Sequence, residues 1–274
     1  MDAVKPQPYQ TIDGFSPHAK AMRRHFERQF RDPLIAHSGR FVWDFWHVPG
    51  EYTHLRTPAF HYFPQQLYAR FHNHLVKWGR MNLGCHDISP PWLSSYISGC
   101  RQQEHVDRPH GPLAFVFSLT PWATRKFSGG ETFLRAPRLL IPPKFNRLTL
   151  FNPAIPHGVR EVRGTMDPRE GRLIIHGWFV NPRPFWVGPL EAGEVEHSLD
   201  SGLAELFGRR LKIGHGLISL RLEIHRDGTV RKVSPLLNTL AGATDMPELL
   251  RRIHALRFPR ARSGTRLTLP LICS

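Results

Sequence analysis

The stretch Tyr96-Ile-Ser-Gly-Cys-Arg-Gln-Gln-Glu-His-Val-Asp107 ends in a candidate metal site. His105 and Asp107 are two residues apart, and residues i and i+2 of a β-strand project from the same face. An imidazole and a carboxylate can therefore reach one ion together from a rigid support. A third ligand is available at His157, in the segment Phe-Asn-Pro-Ala-Ile-Pro-His-Gly-Val. Two His and one carboxylate on one side of an ion form the facial triad that holds Fe(II) with open positions opposite.

The spacing alone is a weak indication. The chain contains 17 histidines, so a solvent-exposed strand with a solvated His and Asp can carry the same pattern by chance. The order of the segments that follow favours the metal site. An apolar strand-like run, a segment with a Gly-Gly turn, a strand leading to His157 and a further apolar strand follow in turn, at 113–120, 127–133, 146–151 and 171–179.

This succession resembles the 2-oxoglutarate/Fe(II)-dependent oxygenase superfamily, in particular its prolyl-4-hydroxylase-like branch, over about residues 90–180. In that branch Tyr-X-X-Gly, His-X-Asp, a Gly-Gly-Glu turn, a distal His and an Arg or Lys in the last core strand follow one another. Here Tyr96 and Gly99 stand nine and six residues before His105. The resemblance implies a double-stranded β-helix core, mainly β with flanking helices, and Fe(II), 2-oxoglutarate and O2 as cofactors and co-substrate.

The resemblance also implies roles for residues around the metal. Arg172 stands where the last core strand of the family carries its co-substrate cation, which binds the distal carboxylate of 2-oxoglutarate, and Tyr96 is a further co-substrate residue. A guanidinium can hold a carboxylate by two parallel hydrogen bonds. His176 and Trp178 share the strand face of Arg172 and are candidates for contact with substrate or with the metal ligands. His110 lies in a turn that can cover the iron.

Two features depart from the family pattern. Fifteen residues separate His157 from Arg172, a longer gap than is usual, and we interpret the polar segment 163–171 as an extended hairpin loop. Gln102 stands where relatives often carry a Tyr that helps to bind the co-substrate. The details of 2-oxoglutarate binding beyond Arg172 therefore stay open at the sequence level.

The rest of residues 1–189 supports this domain. A stripe that includes Phe15, Met22 and Phe26 predicts a helix that packs on a sheet, and Leu67, Phe71 and others predict a second helix over 64–79. Eight aromatic residues lie between 40 and 64. We expect most of them to be core and a few to line a substrate cleft.

A second, small α+β domain is predicted over 208–274, after a linker at 190–207 that can also form a short helix. A strand, an Asp227-Gly228 hairpin turn, a returning strand, a helix capped at Asp245, Arg-Phe-Pro and a last strand follow in order. This order resembles the TonB C-terminal-domain-like family. The domain holds 13 Lys and Arg against 4 Asp and Glu. It can recruit an acidic partner or peptide by strand addition, or only stabilise the oxygenase or a dimer.

Composition restricts the class of protein. The chain has 274 residues with 41% hydrophobic and 22% charged residues, typical of a globular protein. No apolar run suits a membrane span and the first residues lack a secretory signal, so no membrane partner is expected. Three unpaired cysteines favour a reducing, cytoplasmic location. The net charge of +15 suits an acidic partner, nucleic acid or an anionic substrate, or reflects only a general Arg bias.

The sequence thus predicts a hydroxylase that acts on a protein or peptide side chain, with succinate and CO2 as co-products. A tailoring hydroxylase of a small-molecule metabolite is the first alternative. A non-catalytic binding protein on an oxygenase fold is the second, although the complete ligand set argues against it. A nucleic-acid demethylase is a weaker alternative, which predicts salt-dependent binding to DNA or RNA.

Overall fold

The structure, a computed structural model, describes residues 7–31, 43–135, 138–208 and 212–273. The described chain divides into two compact units. The first unit comprises residues 9–76 and 88–180, and the second comprises 7–8, 77–87 and 181–273. Within the described residues, no helix combines the length and the apolar character that crossing a membrane requires.

The chain up to Pro182 is mainly β-structure with flanking helices. Its elements are β1 (Tyr9–Asp13), α1 (Ala19–Arg31), β2 (Asp44–Val48), β3 (Tyr52–Pro58), α2 (Ala59–Tyr62), α3 (Gln65–Leu83), β4 (Cys85–Ile88), β5 (Trp92–Tyr96), β6 (Arg101–His105), β7 (Leu113–Ser118), β8 (Thr132–Leu134), β9 (Leu139–Ile141), β10 (Arg147–Phe151), β11 (His157–Val159) and β12 (Arg172–Pro182). Residues 40–42 of the aromatic segment lie outside the described residues.

One large antiparallel sheet forms the core of the first unit. Its strands are ordered β1-β10-β7-β12-β5-β3-β6-β11-β8-β9, with β2 on β3 and β4 on β12. The sheet curls into the predicted double-stranded β-helix, so that strands distant in sequence face a common interior. This arrangement brings β6 next to β11, and β12 next to β5, which are the four strands that carry the predicted site residues.

Helices α1 and α3 cover one face of this sheet, as the apolar stripes predicted. Phe15 and Phe71 contact the same strand residue, Phe117, with ring centroids 6.0 Å and 4.9 Å away. Met22 and Phe26 are fully buried on α1. The helix begins at Ala19, and Ser16 forms a separate turn before it, in which its hydroxyl accepts a hydrogen bond from the His18 amide.

The second unit is a four-stranded antiparallel sheet with two helices. Its elements are β13 (Phe185–Val187), α4 (Ala192–Gly208), β14 (Gly216–Ile224), β15 (Val230–Asn238), α5 (Met246–His254) and β16 (Thr265–Cys273), and the strand order is β13-β16-β14-β15. The predicted Asp-Gly turn joins β14 to β15, with Gly228 at φ +87°. The predicted cap also forms, since the Asp245 carboxylate accepts a hydrogen bond from the Glu248 amide at 3.1 Å.

The structure differs from the predicted domain layout at residues 181–208. The segment predicted as a linker or short helix is the helix α4, whose Val195 and Leu199 are buried in the core of the small sheet. β13, which was assigned to the oxygenase domain, pairs with β16. The second unit therefore begins before residue 190, because its sheet and core need these residues for completion.

Candidate metal centre and its cavity

The two candidate His ligands face each other across neighbouring strands. His105 is the last residue of β6 and His157 is the first residue of β11, and the two are partners in the antiparallel pair. Directly opposite residues place their Cβ atoms about 5 Å apart on the same face. The imidazole centroids are accordingly 4.4 Å apart. The sheet register, and not proximity in sequence, brings the two rings together.

Asp107 reaches the same point from a turn. The sequence predicted that His105 and Asp107 share a strand face, but β6 ends at His105 and Asp107 begins a 3-10 turn. Its amide donates a hydrogen bond to the Pro153 carbonyl at 2.9 Å, which fixes the turn against the segment before His157. The carboxylate oxygens lie 3.7 Å from His105 Nε2 and 3.4 Å from His157 Nε2.

Backbone carbonyls set the orientation of both imidazoles. His105 Nδ1 is 2.8 Å from the Gln103 carbonyl, and His157 Nδ1 is 2.8 Å from the Ile155 carbonyl. A ring nitrogen can bond a carbonyl only as a donor, so each Nδ1 carries the proton and each Nε2 keeps its lone pair. This is the support that metal-bound His side chains normally have. Both Nε2 atoms lie near Asp107 and can serve as ligands, His105 Nε2 on release of its contact with the Gln102 amide.

The electrostatics also suit a cation. Burial raises the pKa of Asp107, but the neighbouring imidazoles of His105 and His157 outweigh it and hold that pKa well below its ordinary range. Burial lowers the pKa of His105, but the contact with Asp107 and the Gln103 carbonyl outweigh it and raise that pKa. Asp107 is therefore an anion that attracts positive charge to the point between the two rings.

The three residues fit Fe(II). One ligand atom from each of them lies within 4.8 Å of the other two, and no other such group occurs among the residues that the structure describes. Two imidazoles and one carboxylate on one side of an ion are the donor set of non-haem iron sites. The other side opens into a cavity of about 720 Å³, which leaves room for a co-substrate and a substrate.

Arg172 lies in the wall of this cavity with its charge unpaired. The side chain is 1% exposed, and its Nη2 donates to the Thr132 hydroxyl at 3.2 Å, whereas Nε and Nη1 have no partner. The guanidinium lies over the ring of Tyr96, 4.5 Å from its centroid. Burial lowers the pKa of Arg172 and raises that of Tyr96. Because an unpaired buried charge is costly, these free donors fit an anionic group such as a carboxylate.

The remaining predicted residues line the same cavity. His176 and Trp178 follow Arg172 on one face of β12, and His176 Nε2 is hydrogen-bonded to the Ser94 hydroxyl at 2.9 Å. Trp178 Nε1 is buried without a partner. His110 stacks on Trp178 with ring centroids 4.5 Å apart. The structure therefore brings all eight predicted site residues to one cavity.

Sequence reasoning missed several cavity residues from β3 and its neighbours. His54 and Arg56 on β3 and Trp92 on β5 line the cavity. A signal was present, since His54 and Arg56 are two residues apart in the aromatic segment 40–64 and share one face when that segment is a strand. Gln102, which replaces a Tyr of the family, also lies in the wall and donates its amide to His105 Nε2 at 3.1 Å.

Gly158→Ala is expected to disturb the metal centre from the side of β11. A Cβ at this position would lie 2.5 Å from the Gln102 carbonyl and 2.6 Å from Phe133 Cζ, so β6, β8 or His157 has to move. Such overpacking costs roughly 1–3 kcal/mol. Urea unfolding should show this loss, and Fe(II) titration should show weaker binding. Gly193→Ala is the control, because nothing lies within 4 Å of its added Cβ; equal effects of the two changes would contradict the expectation.

His176→Gln is expected to reduce the acid sensitivity of the fold. Burial, His54 and two arginines lower the pKa of His176 from 6.5 to about 3. Below pH 6.5 the unfolded chain therefore binds a proton that the folded chain does not, and stability falls as pH falls. The free energy of unfolding can fall by at most about 1.4 kcal/mol per pH unit through this one group. The fall should be smaller than that, because His176 lines the cavity. Urea unfolding from pH 6.5 to 4.5 should show a shallower decline for the variant, whereas the exposed His61→Gln should keep the wild-type slope.

The solved structures with a similar fold have low sequence identity to this chain. A Pseudomonas putida prolyl-4-hydroxylase is 15% identical, with 64% of this chain and 92% of that chain covered and a TM-score of 0.48. A Trichoplax adhaerens prolyl hydroxylase, solved with a hypoxia-inducible-factor peptide fragment, is 14% identical, with 63% and 83% covered and a TM-score of 0.47. The α-ketoglutarate-dependent epimerase SnoN from nogalamycin biosynthesis is 13% identical, with 64% and 78% covered and a TM-score of 0.43.

The strands that build the site match a known protein family. No curated protein matches the chain. The family model of the 2OG-Fe(II) oxygenase superfamily matches residues 91–180, which run from the start of β5 through most of β12 and include the three candidate ligands and Arg172. The resemblance to the TonB C-terminal-domain-like family stays a prediction. Residues 91–180 belong to the 2OG-Fe(II) oxygenase superfamily, the iron- and 2-oxoglutarate-dependent dioxygenases.

Proposed function

We propose that the protein hydroxylates a side chain of a protein or peptide substrate and forms succinate and CO2 from 2-oxoglutarate. The observation that carries this proposal is the cavity in which the ligand set and a buried, unpaired guanidinium lie together. His105, Asp107 and His157 would hold Fe(II), and Arg172 would hold the distal carboxylate of 2-oxoglutarate. When bound, Fe(II) and 2-oxoglutarate supply the oxidising chemistry, in which one oxygen atom of O2 enters succinate and the other enters the substrate.

The protein supplies position and a dry environment. The carbonyls of Gln103 and Ile155 keep both Nε2 atoms turned to the metal. Tyr96 and Thr132 fix the guanidinium of Arg172, so that two of its nitrogens stay free for the co-substrate. Donors that are already in place cost no reorganisation during the reaction.

Two features support a protein or peptide substrate. The Tyr-X-X-Gly and His-X-Asp motifs resemble the prolyl-4-hydroxylase-like branch in order and spacing. The chain carries a net charge of +15 and a second unit rich in Arg, which suits recruitment of an acidic polypeptide. We include this recruitment, and a cytoplasmic location, in the proposal.

A small-molecule substrate is the alternative. The cavity of about 720 Å³ falls within the roughly 300–1,000 Å³ that small-molecule sites have. The similar structures named above include enzymes of both kinds. The choice between the two substrate classes therefore needs an experiment.

The test offers both classes of substrate to the same enzyme. The protein is incubated with Fe(II), 2-oxoglutarate and O2 together with either a peptide digest or a metabolite extract, and succinate and +16 Da products are measured by mass spectrometry. We expect succinate above background and an oxidised peptide, both lost in Asp107→Ala. An oxidised metabolite without an oxidised peptide would favour the alternative. Oxidised products of neither kind would contradict the hydroxylase function.

A further inference from the structure

Arg56 is a second arginine in the wall of the same cavity. It lies on β3 opposite Ser94 of β5. Its guanidinium carbon is 2.9 Å from the ring centroid of Trp46 and 4.0 Å from that of Trp92. The guanidinium therefore lies between two indole rings, whose planes are tilted by 57° to each other. An arginine held this way keeps its edge N–H groups for a ligand, because stacking uses the faces and not the donors.

The charge of Arg56 is not neutralised. Asp44 is its partner across the β2–β3 pair, but Arg56 forms no ion pair with any residue that the structure describes. Its Nε is buried without a hydrogen-bond partner. Burial lowers the pKa of Arg56, while Tyr52, Asp44 and Tyr96 oppose this shift. The guanidinium thus lies partly buried between the indole rings and has no carboxylate paired with it among the described residues.

His54 is a further polar side chain without a hydrogen-bond partner on the same face of the sheet. His54, which precedes Arg56 on this face, is 3% exposed, and neither of its ring nitrogens has a hydrogen-bond partner. Burial first, and then Arg56 and Arg172, lower the pKa of His54 to about 4. A neutral imidazole can donate one further hydrogen bond to a group that Arg56 holds.

The cavity carboxylates do not supply the missing anion. Asp107 belongs to the metal ligands, and Glu104 pairs with Arg135 at 2.7 Å. Glu51 is exposed in the turn between β2 and β3. None of these three carboxylates is paired with Arg56, which leaves its free N–H groups available to an external anion.

2-Oxoglutarate itself does not supply the anion for Arg56; this conclusion rests on the proposed function. In the proposed function, one carboxylate of 2-oxoglutarate would bind at the metal and the other at Arg172. Tyr96 and His54 share the cross-strand row of Arg172, whereas Arg56 lies in the next row. From strand spacing and rise, the Cα atoms of Arg56 and Arg172 are roughly 12 Å apart. Arg56 therefore marks a separate position in the cavity.

We propose that Arg56, held between Trp46 and Trp92, binds a carboxylate of the substrate and makes the enzyme selective for anionic substrates. In the proposed function this carboxylate is an Asp or Glu side chain, or the C-terminus, of the peptide. A small metabolite with a carboxylate offers the same chemistry, and the experiment separates the two sources.

The test measures binding without turnover. The protein is loaded with Fe(II) and saturating 2-oxoglutarate under argon and mixed with pools of hexapeptides and small acids, each present with its matched amide. Retained molecules are identified by mass spectrometry. We expect wild type to retain acids over amides by about tenfold or more, since a hydrogen bond to a charged group contributes roughly 1.5–3 kcal/mol. Retained peptides or retained small acids identify the source.

Two variants separate recognition from structure. Arg56→Gln should lose the preference for acids, and Arg56→Lys should recover part of it. Arg125 is the matched control, because its guanidinium also stacks on a tryptophan, 3.9 Å from the Trp122 centroid, but lies outside this cavity. Arg125→Gln should keep the wild-type preference. Equal retention of acids and amides by wild type, retention of neither, or a preference that survives Arg56→Gln would overturn the proposal.

Co-substrate binding gives an independent check. Titration of 2-oxoglutarate into the anaerobic iron protein should give the same affinity for wild type and Arg56→Gln, which also shows that the variant is folded. A tenfold weaker affinity in the variant would place Arg56 in the co-substrate site and overturn the proposal. Retained acids that are not oxidised on admission of O2 would contradict the hydroxylase function and leave the carboxylate site in place.

Discussion

His105→Ala abolishes the visible charge-transfer band that we expect when Fe(II) and 2-oxoglutarate are added to the wild-type protein without O2. The band requires a metal that holds the 2-oxo acid, and the metal requires the triad. Removal of His105 leaves one imidazole and one carboxylate, because the structure offers no fourth ligand among the described residues. Loss of a supporting neighbour already costs a metal site about 10–100-fold in affinity, so loss of a ligand should cost more than about 100-fold.

The control for this experiment is an exposed histidine outside the cavity. His47→Ala should leave the band and its titration unchanged, because His47 bonds only to the Thr53 hydroxyl on the neighbouring strand. Circular dichroism shows whether each variant is folded. A folded wild-type protein without a band, or a band that persists in His105→Ala, would remove the iron assignment and leave a cavity used for binding.

The sequence allowed prediction of the site because its residues follow a fixed order along the chain. His105, His157 and Arg172 each lie at an end of a strand, and the apolar runs between them have strand character. These runs predict the strands, and the resemblance supplies the topology that brings strand ends together. The local geometry of Asp107 was not predictable, because the end of β6 depends on the hydrogen bond to Pro153 from a distant segment.

Arg56 shows a second limit of sequence reasoning. In the proposal, a position on β3 gains a function only when β5 and β2 pair beside it and bring Trp92 and Trp46 to its guanidinium. Neither pairing has a local signal in the sequence. The alternation of His54 and Arg56 predicts a shared face but not which face lines the cavity.

The helix α4 was predicted only as an alternative to a linker. Val195, Leu199 and Leu203 are spaced by four residues, which is a helical period. The acidic residues between them, Glu196 and Asp200, lie on the exposed face of this amphipathic helix. The period favours the helix over the linker, whereas the sheet that buries the apolar face has no local signal in the sequence.

Arg172→Gln should separate co-substrate binding from stability, with opposite effects on the two. Without 2-oxoglutarate, the wild-type protein holds a buried guanidinium whose Nε and Nη1 have no partner. Removing such a charge relieves desolvation, so the free energy of unfolding of the variant should stay equal or rise. With 2-oxoglutarate, wild type loses this penalty because the carboxylate pairs with the charge. The variant cannot form that pair.

Thermal unfolding with and without 2-oxoglutarate measures this difference. A ligand at 100 times its dissociation constant stabilises a protein by about 2.7 kcal/mol. We expect this gain in wild type and its loss in Arg172→Gln, together with affinity weaker by about 10–100-fold in the charge-transfer titration. Arg172→Lys should fall between them, because an ammonium keeps the charge but not the two parallel bonds. If Arg172→Gln instead unfolds more easily without ligand and still gains stability with it, Arg172 is a structural residue and the co-substrate binds elsewhere in the cavity.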